Sequence, residues 1–338
     1  MKKLFFAIFL ITFLTDAQIH TNGSLSTGTT ANSGTVAPTG YTWSELQNNT
    51  GNFLESNSSM GFSGTFNSPI DSFFLADDFT VPPGTQWQIT SIDFFAYQTG
   101  YTGTTNPFTT VRVNIYDSDP SLSGAVSIFG DDTTNRYVSG EDSKMYRITN
   151  SIFSTPVTPA TDRKIWEIRA STPVTLSPGI YWIKYQLQNA APANGGFLPS
   201  VTIPGNRGFP SFNAKQFNAV NPTTWLPVLD GGYPVTAPDY AVDMPFIVTF
   251  TAVLGTSETT LQYDNRIQVY PNPVNESFKI SNPEQIKIST VEIIDASGKS
   301  IKTLKAADEY NVSDLPIGHY MVKINSNGLS KITKLLKQ

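Results

Sequence analysis

Val111-Arg112-Val113-Asn114-Ile115-Tyr116 alternates apolar and polar residues, and this period of two decides the fold class. Val111, Val113 and Ile115 fall on one face, because successive side chains of an extended chain point to opposite sides. Tyr181-Trp182-Ile183-Lys184-Tyr185-Gln186-Leu187 does the same, with Tyr181, Ile183, Tyr185 and Leu187 on one face. Around these two stretches, strands are predicted over Phe73–Val81, Trp87–Tyr97, Thr109–Asp117, Lys164–Ala170, Gly179–Gln188 and Ala241–Ala252. Pro82-Pro83-Gly84, Ser118-Asp119-Pro120 and Ser177-Pro178-Gly179 supply turns between them. No stretch combines a helical period with caps. The expectation is an all-β chain. A jelly-roll-like two-sheet sandwich would occupy residues 67–254, and a small immunoglobulin-like sandwich residues 265–338.

Composition agrees with that class. Of the 338 residues 14% are charged and 12% aromatic, which suits a β-rich exported protein of two domains. There is no cysteine, which excludes disulfides, thiolate nucleophiles and Cys-ligated zinc. Met1-Lys2-Lys3, the apolar run Leu4–Leu14 and Thr15-Asp16-Ala17-Gln18 have the three parts of a signal peptide over residues 1–17. Cleavage is expected between Ala17 and Gln18. The apolar run is shorter than the roughly 20 residues a spanning helix needs, and no later run approaches that length, so no transmembrane span is expected. Thr21 to Gly40 holds hardly a large apolar side chain, and residues 18–66 are expected to form a flexible polar lead-in.

A polar linker is expected over residues 255–264, beginning Gly255-Thr256-Ser257-Glu258-Thr259-Thr260. The charge changes sign across it: Gln18 to Asp264 carries 10 Lys and Arg against 19 Asp and Glu, and Arg266 to Gln338 carries 10 against 7. The acidic body argues against nucleic acid as a partner, since binding phosphates takes clustered cations.

The tail opens Arg266-Ile267-Gln268-Val269-Tyr270-Pro271-Asn272-Pro273. It continues through Ser277-Phe278-Lys279-Ile280, Val291-Glu292-Ile293-Ile294-Asp295-Ala296-Ser297-Gly298-Lys299 and Leu315-Pro316-Ile317-Gly318-His319-Tyr320. In this order the pieces resemble the C-terminal sorting domain of the type IX (Por) secretion system of Bacteroidetes bacteria. Pro271, Asn272, Pro273, Gly298, Gly318 and Tyr320 stand at that family's landmarks. The resemblance implies an address label read by the type IX secretion machinery, with export to the cell surface or medium. The body is similar to secreted bacterial β-sandwich modules through Ala76-Asp77-Asp78-Phe79, Ile115-Tyr116-Asp117 and Leu176-Ser177-Pro178-Gly179-Ile180-Tyr181-Trp182, a resemblance that brings no functional residues.

The chain has two histidines: His20 lies beside the cleavage point and His319 within the tail. The body is therefore expected to lack Ser-His-Asp and Cys-His catalysis and His-ligated zinc. Carboxylate chemistry remains open through Asp77, Asp78, Asp93, Asp117, Glu167, Asp239 and Asp243. Glu167 is the first candidate, because a Trp beside a strand acid can mark a sugar subsite, against the plainer reading of a solvated strand face. Asp117-Ser118-Asp119-Pro120 spaces oxygens as hard-cation loops do, so calcium at Asp117 and Asp119 competes with ordinary turn chemistry. Trp225 and Tyr233 lie in loops, where flat rings can stack on a glycan, anchor a protein, or fold back as lids. Three functions follow: a non-catalytic module binding glycan or protein, a carboxylate-dependent carbohydrate hydrolase, and a structural coat component.

Overall fold

The computed structural model describes residues 17–49, 52–67, 71–153, 156–191, 195–220, 224–254, 268–281, 287–295, 299–326 and 329–338. The signal segment before Ala17, the linker at 255–264, Arg266 and Gly298 lie outside the described residues. The described residues are all-β and divide into two compact units, Met1–Leu254 and Gly255–Gln338.

The main strands of the first unit are, in chain order, β1 (Gln18–Thr21), β2 (Thr42–Glu45), β3 (Asp71–Val81), β4 (Thr85–Tyr97), β5 (Phe108–Tyr116), β6 (Ser127–Asp131), β7 (Tyr137–Ile148), β8 (Lys164–Leu176), β9 (Gly179–Asn189), β10 (Lys215–Asn218), β11 (Leu226–Pro227) and β12 (Phe246–Leu254). One sheet runs β1-β12-β4-β8-β7-β2, and the other β11-β10-β3-β9-β5-β6. Neighbours pair antiparallel except β7 with β2. The alternation works as read: Val111, Val113, Ile115, Ile183, Tyr185 and Leu187 are all buried in the core between the sheets. There the Phe94 ring on β4 stacks on Tyr185 of β9 at 4.2 Å, joining the two sheets. The last strand starts at Phe246 and not at Ala241, because residues 242–245 cross over, holding Val201, Asn213 and Ala214 through separate hydrogen bonds.

The lead-in is the main correction. Residues 18–48 are built into the body. Gln18 pairs with Phe250 and Thr21 with Ile247, making β1 an outer strand of the larger sheet. Leu25 packs against Phe95, Tyr97 and Ile165 on the outer face of that sheet. Trp43, Ala31, Ala37 and Ile148 form a further small core. Few large side chains are needed, because hydrogen bonds to distant strands hold the segment: Thr27 N to Trp43 O, Thr202 N to Ser24 O, and Asn32 N to the buried Glu45 carboxylate.

The second unit has β13 (Gln268–Tyr270), β14 (Ser277–Ser281), β15 (Thr290–Ile294), β16 (Ser300–Lys305), β17 (Tyr310–Asn311), β18 (Gly318–Ser326) and β19 (Leu329–Lys337). They form sheets β13-β14-β17 and β16-β15-β18-β19 around Val269, Phe278, Val291, Ile293, Val322, Ile324 and Leu335.

Candidate functional site

Tyr233 stands on one wall of a cavity of about 290 Å³. Gly232 and Tyr233 pair with Asn57 and Ser56 as a two-residue ladder. Gly232 must be glycine there, since a Cβ would meet the carbonyl oxygen of Ala237 at 2.4 Å. Asp230, wholly buried, accepts from the backbone of Ser58 and Ser59 at 3.0 Å each and so fixes the facing turn. Burial raises its carboxyl above the usual range. Ser58 Oγ donates to Gly231 O at 2.7 Å. Behind Asn57, Arg207 Nε donates to its side-chain oxygen at 2.9 Å, while the guanidinium lies over the Tyr240 ring.

The opposite wall follows the end of β7. Leu46, just after β2, donates to Ile148 O at 3.0 Å. The Glu45 carboxylate takes Ser151 N and Oγ at 2.7 and 2.6 Å, which orders the turn carrying Asn150 and Phe153. Phe153 meets the Tyr233 ring edge-on at 5.2 Å, and Val157 completes the apolar side. Tyr233 is 53% exposed, so part of its side chain is accessible at the cavity it lines. Asn150 Oδ1 accepts from Ile152 N at 3.2 Å, while its Nδ2 is buried without a partner. The lining therefore combines two aromatic rings, two aliphatic side chains, amides and hydroxyls. Among the described residues that line it none is charged, which suits a neutral group.

The other anticipated residues lie elsewhere. Trp225 is not part of this cavity: half-buried, it stacks on Phe217 of β10 at 5.0 Å, at the edge of the smaller sheet. Asp117 accepts from Val126 N and Ser118 Oγ. Asp119 accepts from Ser121 N and Oγ and is ion-paired with Lys215. A calcium ion at this turn would have to displace that ammonium, and among the described residues no group of three or more His, Asp or Glu is arranged to hold a metal. Trp166 and Glu167 sit on opposite faces of β8, the tryptophan in the core and the carboxylate outside, as the period of two requires. They cannot serve one subsite. Glu167 stands opposite Glu141, and burial, then Asp93, raises its carboxyl. Asp93 is clamped by Arg169 through two bonds of 2.7 Å. Asp239 accepts from Gly232 N and so shapes the turn before Tyr233.

His20 corrects the expectation that the body has no histidine. It lies on β1 opposite Val248, 5.5 Å from the Trp87 ring and 6.2 Å from Phe79. Its Nε2 is buried without a hydrogen bond, and burial lowers its pKa, favouring the neutral ring.

In the tail, Asn272 Nδ2 donates to Lys334 O at 2.8 Å and its Oδ1 accepts from Leu336 N at 2.9 Å. One side chain thus pairs with β19 as a strand would. Pro271 and Pro273 flank it, Gly318 opens β18, and Tyr320 donates from its hydroxyl to Pro316 O at 2.9 Å.

Residues 268–338 match the family described as the secretion system C-terminal sorting domain. No curated protein and no solved structure matches the chain. The tail therefore carries a Por-type sorting domain, which makes the chain cargo of the type IX system, bound for the cell surface or the medium.

Proposed function

We propose that this type IX cargo is a non-catalytic binding module, whose body takes a neutral group of a glycan or protein ligand in the Tyr233 cavity. The observation carrying this reading is the lining itself: a half-exposed aromatic ring and hydrogen-bonding amides, with no charged group among the described lining residues. The signal peptide would be removed between Ala17 and Gln18, leaving β1 at the start of the mature chain. Trp225, stacked on Phe217, serves the scaffold and not the ligand. The test is a glycan and peptide array probed with residues 18–338 and with the same chain carrying Tyr233→Ala. Ligands that bind the first and lose at least tenfold with the second support the reading. Binding that ignores the substitution, or hydrolysed products on the array, would overturn it.

A further inference from the structure

We infer that the group taken by the Tyr233 cavity is the N-acetyl-bearing ring of an amino sugar, an inference resting on the binding-module reading. The volume, about 290 Å³, is at the small end of ligand sites and fits one ring with a short substituent. A pyranose has an apolar C–H face, and the half-exposed ring of Tyr233, in T-shaped contact with Phe153, is a surface such a face packs against. Two further demands come from the opposite wall. Leu46 and Val157 present apolar surface that a hydroxyl would leave unpaired and a methyl would fill. Asn150, only 6% exposed, keeps its Nδ2 buried and unbonded while its oxygen is engaged by Ile152 N.

A buried amide N–H without an acceptor is costly, so the site favours a ligand bringing a carbonyl oxygen. The terminal torsion of asparagine is soft, and binding such a carbonyl requires a turn of the amide that brings Nδ2 to the cavity and loosens the bond from Ile152 N. An acetamido group supplies carbonyl and methyl together, which a plain hexose does not. Sialic and uronic acids fit poorly, because the lining holds no cation and Gln18 to Asp264 carries 10 Lys and Arg against 19 Asp and Glu.

The test is calorimetric titration of residues 18–338 with N,N′-diacetylchitobiose and with cellobiose, which keeps the linkage but replaces each acetamido group by hydroxyl. The diacetyl sugar should bind at least tenfold more tightly. Asn150→Asp, which keeps an oxygen for Ile152 N and removes the amide hydrogens, should remove most of that preference, and Asn150→Ala should do the same with a lowered melting temperature, because it also deletes the oxygen that Ile152 N donates to. Tyr233→Ala should weaken both sugars. Equal binding of the two disaccharides, with Tyr233→Ala weakening both, would overturn the acetamido assignment and leave the module reading standing. Absence of sugar binding together with array peptides lost on Tyr233→Ala would assign the cavity to protein instead. If neither sugar nor array peptide depends on Tyr233, the inference and the module reading both fall.

Discussion

Asn22 donates its side-chain amide to the carboxylate of Asp77 at 3.0 Å, although 55 residues separate them and Asp77 lies on the sheet facing β1. The same amide donates to Met244 O at 3.0 Å, and Asp77 also accepts from Met244 N at 2.6 Å. One buried carboxylate thereby fastens the end of β1 and the entry to β12 onto β3. Asn22→Ala should cost about 1–3 kcal/mol, the usual penalty for leaving a buried acceptor short of a donor. Hydrogen exchange should show the loss first as faster exchange in residues 18–21 and their partners 247–250. Unchanged protection there would mean that β1 is held by its ladder alone.

The same cluster sets a pH dependence. Burial, and then Asp243, holds the Asp77 carboxyl well above the usual range, and burial with nearby Asp78 pushes Asp243 up to about 6. An acid with a raised folded-state pKa binds its proton more tightly folded than unfolded. Its contribution is fully present below the unfolded value, about 4, and is lost as pH rises through about 6. Asp243→Asn mimics the protonated form. The variant should melt about 2–4 °C above the parent at pH 7.5, the response of a domain this long to a change of about 1 kcal/mol, and the gap should close by pH 4. Comparing the two proteins at each pH cancels His20, whose lowered pKa pulls the other way. A gap that widens on acidification would contradict this assignment.

Trp225→Ala removes a stack on Phe217 from a half-buried position. The expected cost is about 0.5–1.5 kcal/mol of stability, well below the 3–5 kcal/mol of a fully buried tryptophan. Ligand affinity at the Tyr233 cavity should not change. Denaturant unfolding and a binding titration of the same variant read both quantities.

Calcium should leave the melting temperature where it is. Asp119 is already held by Lys215 and Ser121, and Asp117 by Val126 and Ser118. A rise in melting temperature with excess calcium, reversed by chelator, would show that the ion displaces the lysine. Lys215→Ala is the variant in which such a rise has its best chance.

Asn272→Ala should loosen the tail by about 1–2 kcal/mol, since two exposed hydrogen bonds to β19 are lost. Proteolysis of the tail should quicken, and in a type IX-competent host the exported fraction should fall. Normal export from a loosened tail would separate sorting from tail stability.

Much of this fold is legible from local pattern. Each predicted strand overlaps an observed one, since β3, β4, β5, β8 and β9 alternate or run apolar and end at proline and glycine turns. What escapes is long-range. The strand β7 is polar along most of its length and carries a bulge between Asp142 and Met145, with Lys144 at a positive φ, so it shows no steady alternation. Residues 18–48 look like a flexible lead-in because their anchors are distant backbone groups and one small residue after another. A subsite shared by Trp166 and Glu167 is the alternative that the period of two disfavours, since adjacent strand residues face apart. Tyr233 stood out as a loop aromatic. Asn150 gives no signal in the sequence, because the unbonded half of its amide depends on how the segments after β2 and β7 pack together.

The clip between Asn272 and β19 joins groups 62 and 64 residues apart. A carrier that recognises this arrangement reads a shape and not a string of letters. Short synthetic peptides copying Pro271–Pro273, or the last strand alone, would then be poor competitors of transport. A cargo molecule would also become invisible to its carrier whenever this small unit melts, so the stability of the label would set the warmest temperature at which delivery can run.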